Sequence, residues 1–347
     1  MMENHYDNAP AKGGTGTMRG FDAEFTDIVD YILRITFRIW EGKQVGLCRD
    51  YYSENCPIYT LAGYTEGAEQ VTQNTVKTLA GFPDRTLHAD NIIWGGNDED
   101  GYHTSHLICT NMTNLGPSEF GPATGLNAQI QVIAHCVVKN NRIIEEWLVR
   151  DNYALAQQLN IDPEQYAMEQ ASKPLDEKGP FATWRNSEIA RVTKLDRERV
   201  AYPTDDTEAF ICAALKNIWN ARLLGDCQLL YATSARLHAS AREDYDGVDN
   251  ITQFYIEVLG SIPDACFSID YCCSNSMLEG DYVAIRWTLA GNHSGGALWG
   301  PPTNQPLLIL GESHYRLLDG KVVQEWLVFD ELAVLTQIAR ARNCIDQ

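Results

Sequence analysis

One stretch of this chain is written twice. RIIEEWLVRDNYALAQQL, Arg142 to Leu159, returns as KVVQEWLVFDELAVLTQI, Lys321 to Ile338, and the tryptophans of the two copies stand 179 positions apart (326 − 147). The same offset relates Trp40 to Trp219, Cys48 to Cys227, Tyr52 to Tyr231, His135 to His314, and FGPATG from Phe120 to WGPPTN from Trp299. It is one longer for Gly67 and Gly247 and for Pro83-Asp84 and Pro263-Asp264, as single-residue loop insertions would make it. A repeat of this reach leaves little freedom: the chain folds as two copies of one domain of about 130 to 140 residues. Of the 347 residues, 44% are apolar, enough to give each copy its own core.

Each copy opens on a helical pattern, Phe25, Ile28, Val29, Ile32, Ile35, Ile39 and Trp40 in the first and Ile211, Leu215, Ile218 and Trp219 in the second. A short extended piece, a glycine and a second helical run follow, up to the Pro-Asp pair. The rest is rich in strand patterns, LHADNIIWGG, YHTSHLICTNMT, AQIQVIAHCVVK and RIIEEWLVRD in the first copy. Helices first and a strand meander later predict an α+β fold with an antiparallel sheet. Asn140-Asn141 and Asp319-Gly320 suit the positive φ of a two-residue hairpin turn. Counting outward from that turn puts His135 opposite Glu146, His314 opposite Glu325 and Ala134 opposite Trp147. Alternation then places Trp147, Val149 and Asp151 on one face and Glu146, Leu148 and Arg150 on the other.

Lys and Arg total 27 against 47 Asp and Glu, a formal charge of -20. Such a surface repels phosphate backbones and anionic headgroups, so neither nucleic acid nor membrane is expected as a partner. No run of about 20 apolar residues is present to cross a bilayer, and the polar start of the chain has no basic-then-apolar leader pattern; a cytoplasmic protein is expected. Ten cysteines form no Cys-x-x-Cys pair and sit mostly in apolar segments, as reduced core residues do.

The opening helix, the glycine before the second helix, the FPD and IPD turns at Phe82 and Ile262, the Gly-rich loops leading to PATG and PPTN, and the hairpin with Glu-Trp and a following Asp together resemble one family. The chain resembles the SnoaL-like polyketide cyclases, within the nuclear transport factor 2-like and ketosteroid-isomerase-like fold. The resemblance implies two tandem cone-shaped α+β barrel domains, each a curved antiparallel sheet closed by its N-terminal helices. It places the first domain at 21–160 and the second at 205–343, with a linker containing a partial helix at 161–204 and a disordered N-terminus at 1–20. It also implies a small apolar carbonyl ligand, cofactor-free and metal-free aldol or enolisation chemistry, and an intramolecular pseudo-dimer of the two domains.

The carboxylate at the end of the Glu-Trp strand is the acid/base in these cyclases, and the matching positions are Asp151 and Asp330. Desolvation among apolar side chains would raise such a carboxyl's pKa and suit it to enol chemistry. Each Asp also stands where a helix N-cap is expected. His106, a polar residue in an apolar strand, and the His135 and His314 pairs with glutamate are further catalytic candidates. The aromatic residues Trp147, Trp326, Trp40 and Trp219, with Arg286 at the place matched to His106, are the substrate-binding candidates. Two other functions remain open: a non-catalytic ligand-binding or interaction module on this fold, and a dehydratase or hydrolase using the His-Glu pairs. Arg150 beside Asp151 against Phe329 beside Asp330 marks the two copies as unequal, and His106 favours the first as the active one.

Overall fold

A computed structural model describes residues 18–203, 206–240 and 244–345. The expected disordered N-terminus lies almost wholly outside them. The chain divides into two compact units, one of Met1–Arg150 with Leu155–Ile161, the other of Asp151–Ala154 with Asp162–Gln347.

The first unit starts with α1 (Ile28–Thr36), which runs on as a π-helical turn, Phe37–Glu41. Asp27 caps α1, its Oδ1 accepting from the Asp30 amide at 2.8 Å, and Ile28, Tyr31, Ile32 and Ile35 form the buried stripe. After a 3₁₀ turn (Val45–Leu47) come α2 (Cys48–Tyr51), β1 (Pro57–Thr60), β2 (Gly63–Glu66) and α3 (Ala68–Gly81). Gly67 enters α3 at φ 85°, and a Cβ there would lie 2.4 Å from the Glu54 carbonyl, so both the dihedral and the space demand glycine. Its counterpart Gly247 has the same φ. The long strands β3 (Thr86–Asn97), β4 (Gly101–Thr113), β5 (Asn127–Lys139) and β6 (Arg142–Arg150) then form the meander, ending in α4 (Asn152–Gln158).

In the second unit α5 (Pro163–Ser172) and α6 (Pro180–Val192) precede α7 (Thr207–Trp219), α8 (Cys227–Leu230), β7 (Tyr231–Ala239) and β8 (Tyr245–Asp246). They are followed by α9 (Val248–Ser261), β9 (Cys266–Met277), β10 (Gly280–Asn292), β11 (Pro306–Leu318), β12 (Lys321–Phe329) and α10 (Glu331–Ile345). The segment expected as a linker is therefore built into this unit. Its α6 packs on β9, β10 and β11, with Arg191 bonded to Ser268 Oγ at 2.8 Å and paired with Asp270 at 2.9 Å.

Each unit holds one six-stranded sheet, in the order β2-β1-β6-β5-β4-β3 and β8-β7-β12-β11-β10-β9. The α+β class and the tandem arrangement are as expected, but two details are corrected. The sheets are mixed, because β1 runs parallel to β6 and β7 parallel to β12. They are also open, with β2 and β3, or β8 and β9, at their edges, rather than closed into barrels. The short first strands follow helices rather than the meander, so the strand pattern in the sequence held no sign of their direction.

Both hairpin turns have positive φ at each central residue, 50° and 66° at Asn140-Asn141 and 50° and 73° at Asp319-Gly320. The register beyond them differs from simple counting. Val138 pairs with Ile143 but Val137 with Glu145, and Leu317 pairs with Val322 but Arg316 with Gln324. One extra residue, Ile144 or Val323, is bulged out of each strand, and every later side chain changes face. Among the described residues no helix is long and apolar enough to cross a membrane. Cys48, Cys56, Cys109, Cys136, Cys212, Cys227, Cys266, Cys272 and Cys273 are free.

Candidate functional site

The bulge decides what faces the helices. Glu146 pairs with Cys136, Leu148 with Ala134 and Arg150 with Val132, and these side chains line a cavity together with Ile32, Ile35, Ile39 and Trp40 from the opening helix. Its volume is about 70 Å³. His106 from β4, Tyr52, Arg85 and Thr36 add to its polar lining. Glu146 and Arg150, assigned to the outer face by counting, are thus inside.

The residues assigned inward are elsewhere. Trp147 pairs with His135 and stacks on Tyr59 with ring centroids 5.5 Å apart, on the face away from the cavity. His135 lies edge-on to that indole and its Nε2 is 3.1 Å from His103 Nδ1. Trp326 pairs with His314 and stacks on His238 at 5.5 Å. The expected His135-Glu146 and His314-Glu325 pairs do not form, since the one-residue shift sends each histidine and its glutamate to opposite faces. Asp151 and Asp330 are 7% and 5% exposed, and each Oδ1 accepts an amide at 3.0 Å, from Ala154 and from Ala333. They are the caps of α4 and α10, and Asp151 is not among the residues lining the cavity. Arg286 faces Glu312 across β10 and β11, whereas the position matched to His106 is Ile285: His106 pairs with Ala134 and Ile285 with Ser313, one residue before His135 and His314. Of the catalytic and binding candidates, His106 and Trp40 line the cavity.

Glu146 is 6% exposed, and burial raises its pKa above the ordinary carboxylate value, partly offset by a hydrogen bond from the Tyr52 phenol and the charge of Arg150. The Tyr52 phenol is in turn pushed well up by burial and by the nearby Glu146. Arg85 follows the Pro-Asp turn after α3 and is 5% exposed. Its guanidinium lies 4.8 Å from the Trp40 ring centre, and its Nε donates to Thr110 Oγ1 at 3.0 Å. Burial brings its pKa down to about 9, and the like charge of Arg150 adds to the shift. The Nε of Arg150 is buried with no hydrogen-bond partner. A carboxyl whose proton is held more tightly, on an apolar wall with cationic and phenolic neighbours, is suited to moving a proton next to a carbonyl group.

The second unit keeps the glutamate and fills the space around it. Glu325 is fully buried and its Oε2 accepts from the Tyr231 hydroxyl, with Tyr315 and Ser313 beside it, while burial lifts its pKa to about 7. Tyr255 continues the chain, its hydroxyl 2.7 Å from that of Tyr231. Phe329, Trp287, Phe267 and Tyr315 stand where the first unit has Arg150, Ile108, Leu87 and Cys136. Trp219 stacks on Phe267 at 5.4 Å, and Phe267 and Trp287 are 5.6 Å apart. The indole of Trp287 covers Gly311, where a Cβ would lie 2.1 Å from Cζ2. Among the described residues no cluster of His, Cys, Asp and Glu has the form of a metal site.

The family model of the SnoaL-like polyketide cyclases matches residues 31–159 and again 210–338. This chain belongs to the SnoaL-like polyketide cyclase family. Both matched stretches run from the opening helix to the helix after the Glu-Trp strand, so each unit is one SnoaL-like domain. Similar solved structures include a SnoaL-like polyketide cyclase from Agrobacterium tumefaciens, at 17% identity over 38% of this chain and 96% of that one, with a TM-score of 0.32. TsrD from Streptomyces laurentii is 17% identical over 40% of this chain and 98% of its own, with a TM-score of 0.34. A protein with a ketosteroid isomerase-like fold from Catenulispora acidiphila, solved in complex with trimethylamine, is 14% identical over 39% and 93%, with a TM-score of 0.31. No curated protein matches. In this SnoaL-like pair, the lining residues Glu146, Arg150, Tyr52 and Arg85 were missed from the sequence. The first two were put on the wrong face, Tyr52 was visible as a repeat landmark, and Arg85 had as its signal a cation directly after the repeated Pro-Asp turn in one copy and an alanine in the other.

Proposed function

We propose that the first SnoaL-like domain binds a small carbonyl compound and moves protons on it with Glu146 as acid/base, while the second domain is a filled copy without a site. The observation that carries this reading is the buried Glu146 carboxyl on the wall of an apolar cavity, its pKa raised by desolvation. In the ionised form Glu146 takes a proton from a carbon beside the carbonyl; His106 and Tyr52 are placed to hold the oxygen on which charge develops. This assignment replaces Asp151 and Asp330, whose carboxylates are engaged by helix amides. A carboxylate committed to amides is a weak base.

The test is α-proton exchange of butanone in D₂O, followed by NMR with the intact chain. Glu146→Gln is expected to lower the protein-dependent rate by about 10²-fold or more. Wild-type exchange is expected to rise with pH as Glu146 ionises, because the base is the deprotonated form. Retention of the full rate in Glu146→Gln would sink the assignment. A second reading, a binder without turnover, is favoured by the narrowness of the cavity, and binding of the ketone without exchange would select it. The dehydratase or hydrolase reading loses its basis, since the His-Glu pairs it needs do not form.

A further inference from the structure

The cavity contains an electrostatic oddity. Arg85 and Arg150 both line it, close enough for their like charges to interact. Among the described residues neither has an ion-pair partner: the side-chain bond of Arg85 goes to neutral Thr110, and Arg150 Nε is buried with none. The one acidic residue in the lining is Glu146, whose pKa is raised by burial and lowered in part by the charge of Arg150. Burying a guanidinium without an ion pair costs several kcal/mol, and Arg85 is 5% exposed while Arg150 is half-buried. A chain with 47 acidic residues has placed no ion-pairing carboxylate here.

The second copy shows that the fold does not need these cations. Its counterparts of Arg85 and Arg150 are Ala265 and Phe329, and where both cations are gone the interior is packed with aromatic rings. The arginines accompany the cavity, as parts of a site do.

We propose that the ligand of the first domain is a carbonyl compound that also carries a carboxylate, held between Arg85 and Arg150 with its carbonyl end toward Glu146 and His106. Guanidinium groups match a carboxylate's planar oxygens. A single negative charge fits better than a phosphate dianion, since Glu146 must itself ionise in the same small space. The role for Glu146 rests on the proposed function above; the carboxylate clamp rests on the arginines alone.

The experiment is calorimetric titration of the intact chain with 4-oxopentanoate, its methyl ester and inorganic phosphate at low salt. The protein's overall negative charge works against unspecific anion uptake, so a preference for the anion reports the cavity. The keto acid is expected to bind about ten- to a hundredfold more tightly than the ester, and Arg85→Gln or Arg150→Gln to remove that preference while leaving ester binding in place. Arg85→Lys, which keeps the charge, is expected to retain part of it. Equal binding of acid and ester, binding of neither, phosphate binding as tightly as the keto acid, or an undiminished preference in folded Arg150→Gln would each overturn the clamp. Exchange at the keto acid's α-carbons separates the two ideas: preference without exchange keeps the clamp and removes the acid/base role, and ester exchange without preference does the reverse.

Discussion

Glu146 and Glu325 occupy the same place in two copies of one strand, yet their surroundings assign them different work. Glu146 faces a cavity with two cations, whereas Glu325 is enclosed by Tyr231, Tyr315 and Ser313. Burial raises the Glu325 pKa from 4.5 to about 7, so the folded protein binds that proton more tightly than the unfolded chain. Its stabilising contribution is complete below the unfolded pKa and is lost as pH rises through the folded one. Wild-type stability is therefore expected to fall between about pH 4.5 and 7 by on the order of 3 kcal/mol from this group, and Glu325→Gln to flatten that slope. Urea unfolding at several pH values checks this; an unchanged slope in the variant would refute it. His106 was legible from sequence because a polar residue in an apolar strand needs a reason. Glu146 was not, because its role depends on which face it occupies.

That face is settled at the level of the hairpin. The positive-φ turn pairs were readable in Asn140-Asn141 and Asp319-Gly320, but the register was not, because one extra residue in β6 and β12 inverts the alternation. The doubled branched residues Ile143-Ile144 and Val322-Val323 are the trace of that bulge, for two such neighbours do not fit strict period 2. Ile143 and Val322 are buried at 2% and 0%, while Ile144 is 37% exposed. Strand β11 offers a second test. Gly311 leaves the room that Trp287 fills, so Gly311→Ala is expected to destabilise the protein by about 1 to 3 kcal/mol through overpacking. A chemical denaturation curve indistinguishable from wild type would show that the indole moves aside without cost.

For the molecule as a whole, divergence after duplication has left a cavity beside Glu146 in the first domain and a cluster of aromatic rings at the matching place in the second. Arg150→Phe introduces the second copy's residue into the first. It is expected to abolish butanone or keto-acid binding without lowering stability in urea, since it exchanges a half-buried cation, whose Nε has no hydrogen-bond partner, for an apolar ring. Continued binding would place the ligand elsewhere. The repeat, the α+β class, the turn positions and the acidic surface were all written in the sequence, because they depend on local periodicity, turn chemistry and composition. The mixed, open sheets, the faces of Glu146 and Trp147, the capping of α4 and α10 by Asp151 and Asp330, and the meeting of Arg85 with Arg150 were decided only by tertiary structure. They depend on how strands from distant segments pair, and a single bulged residue reverses which side chains reach the interior.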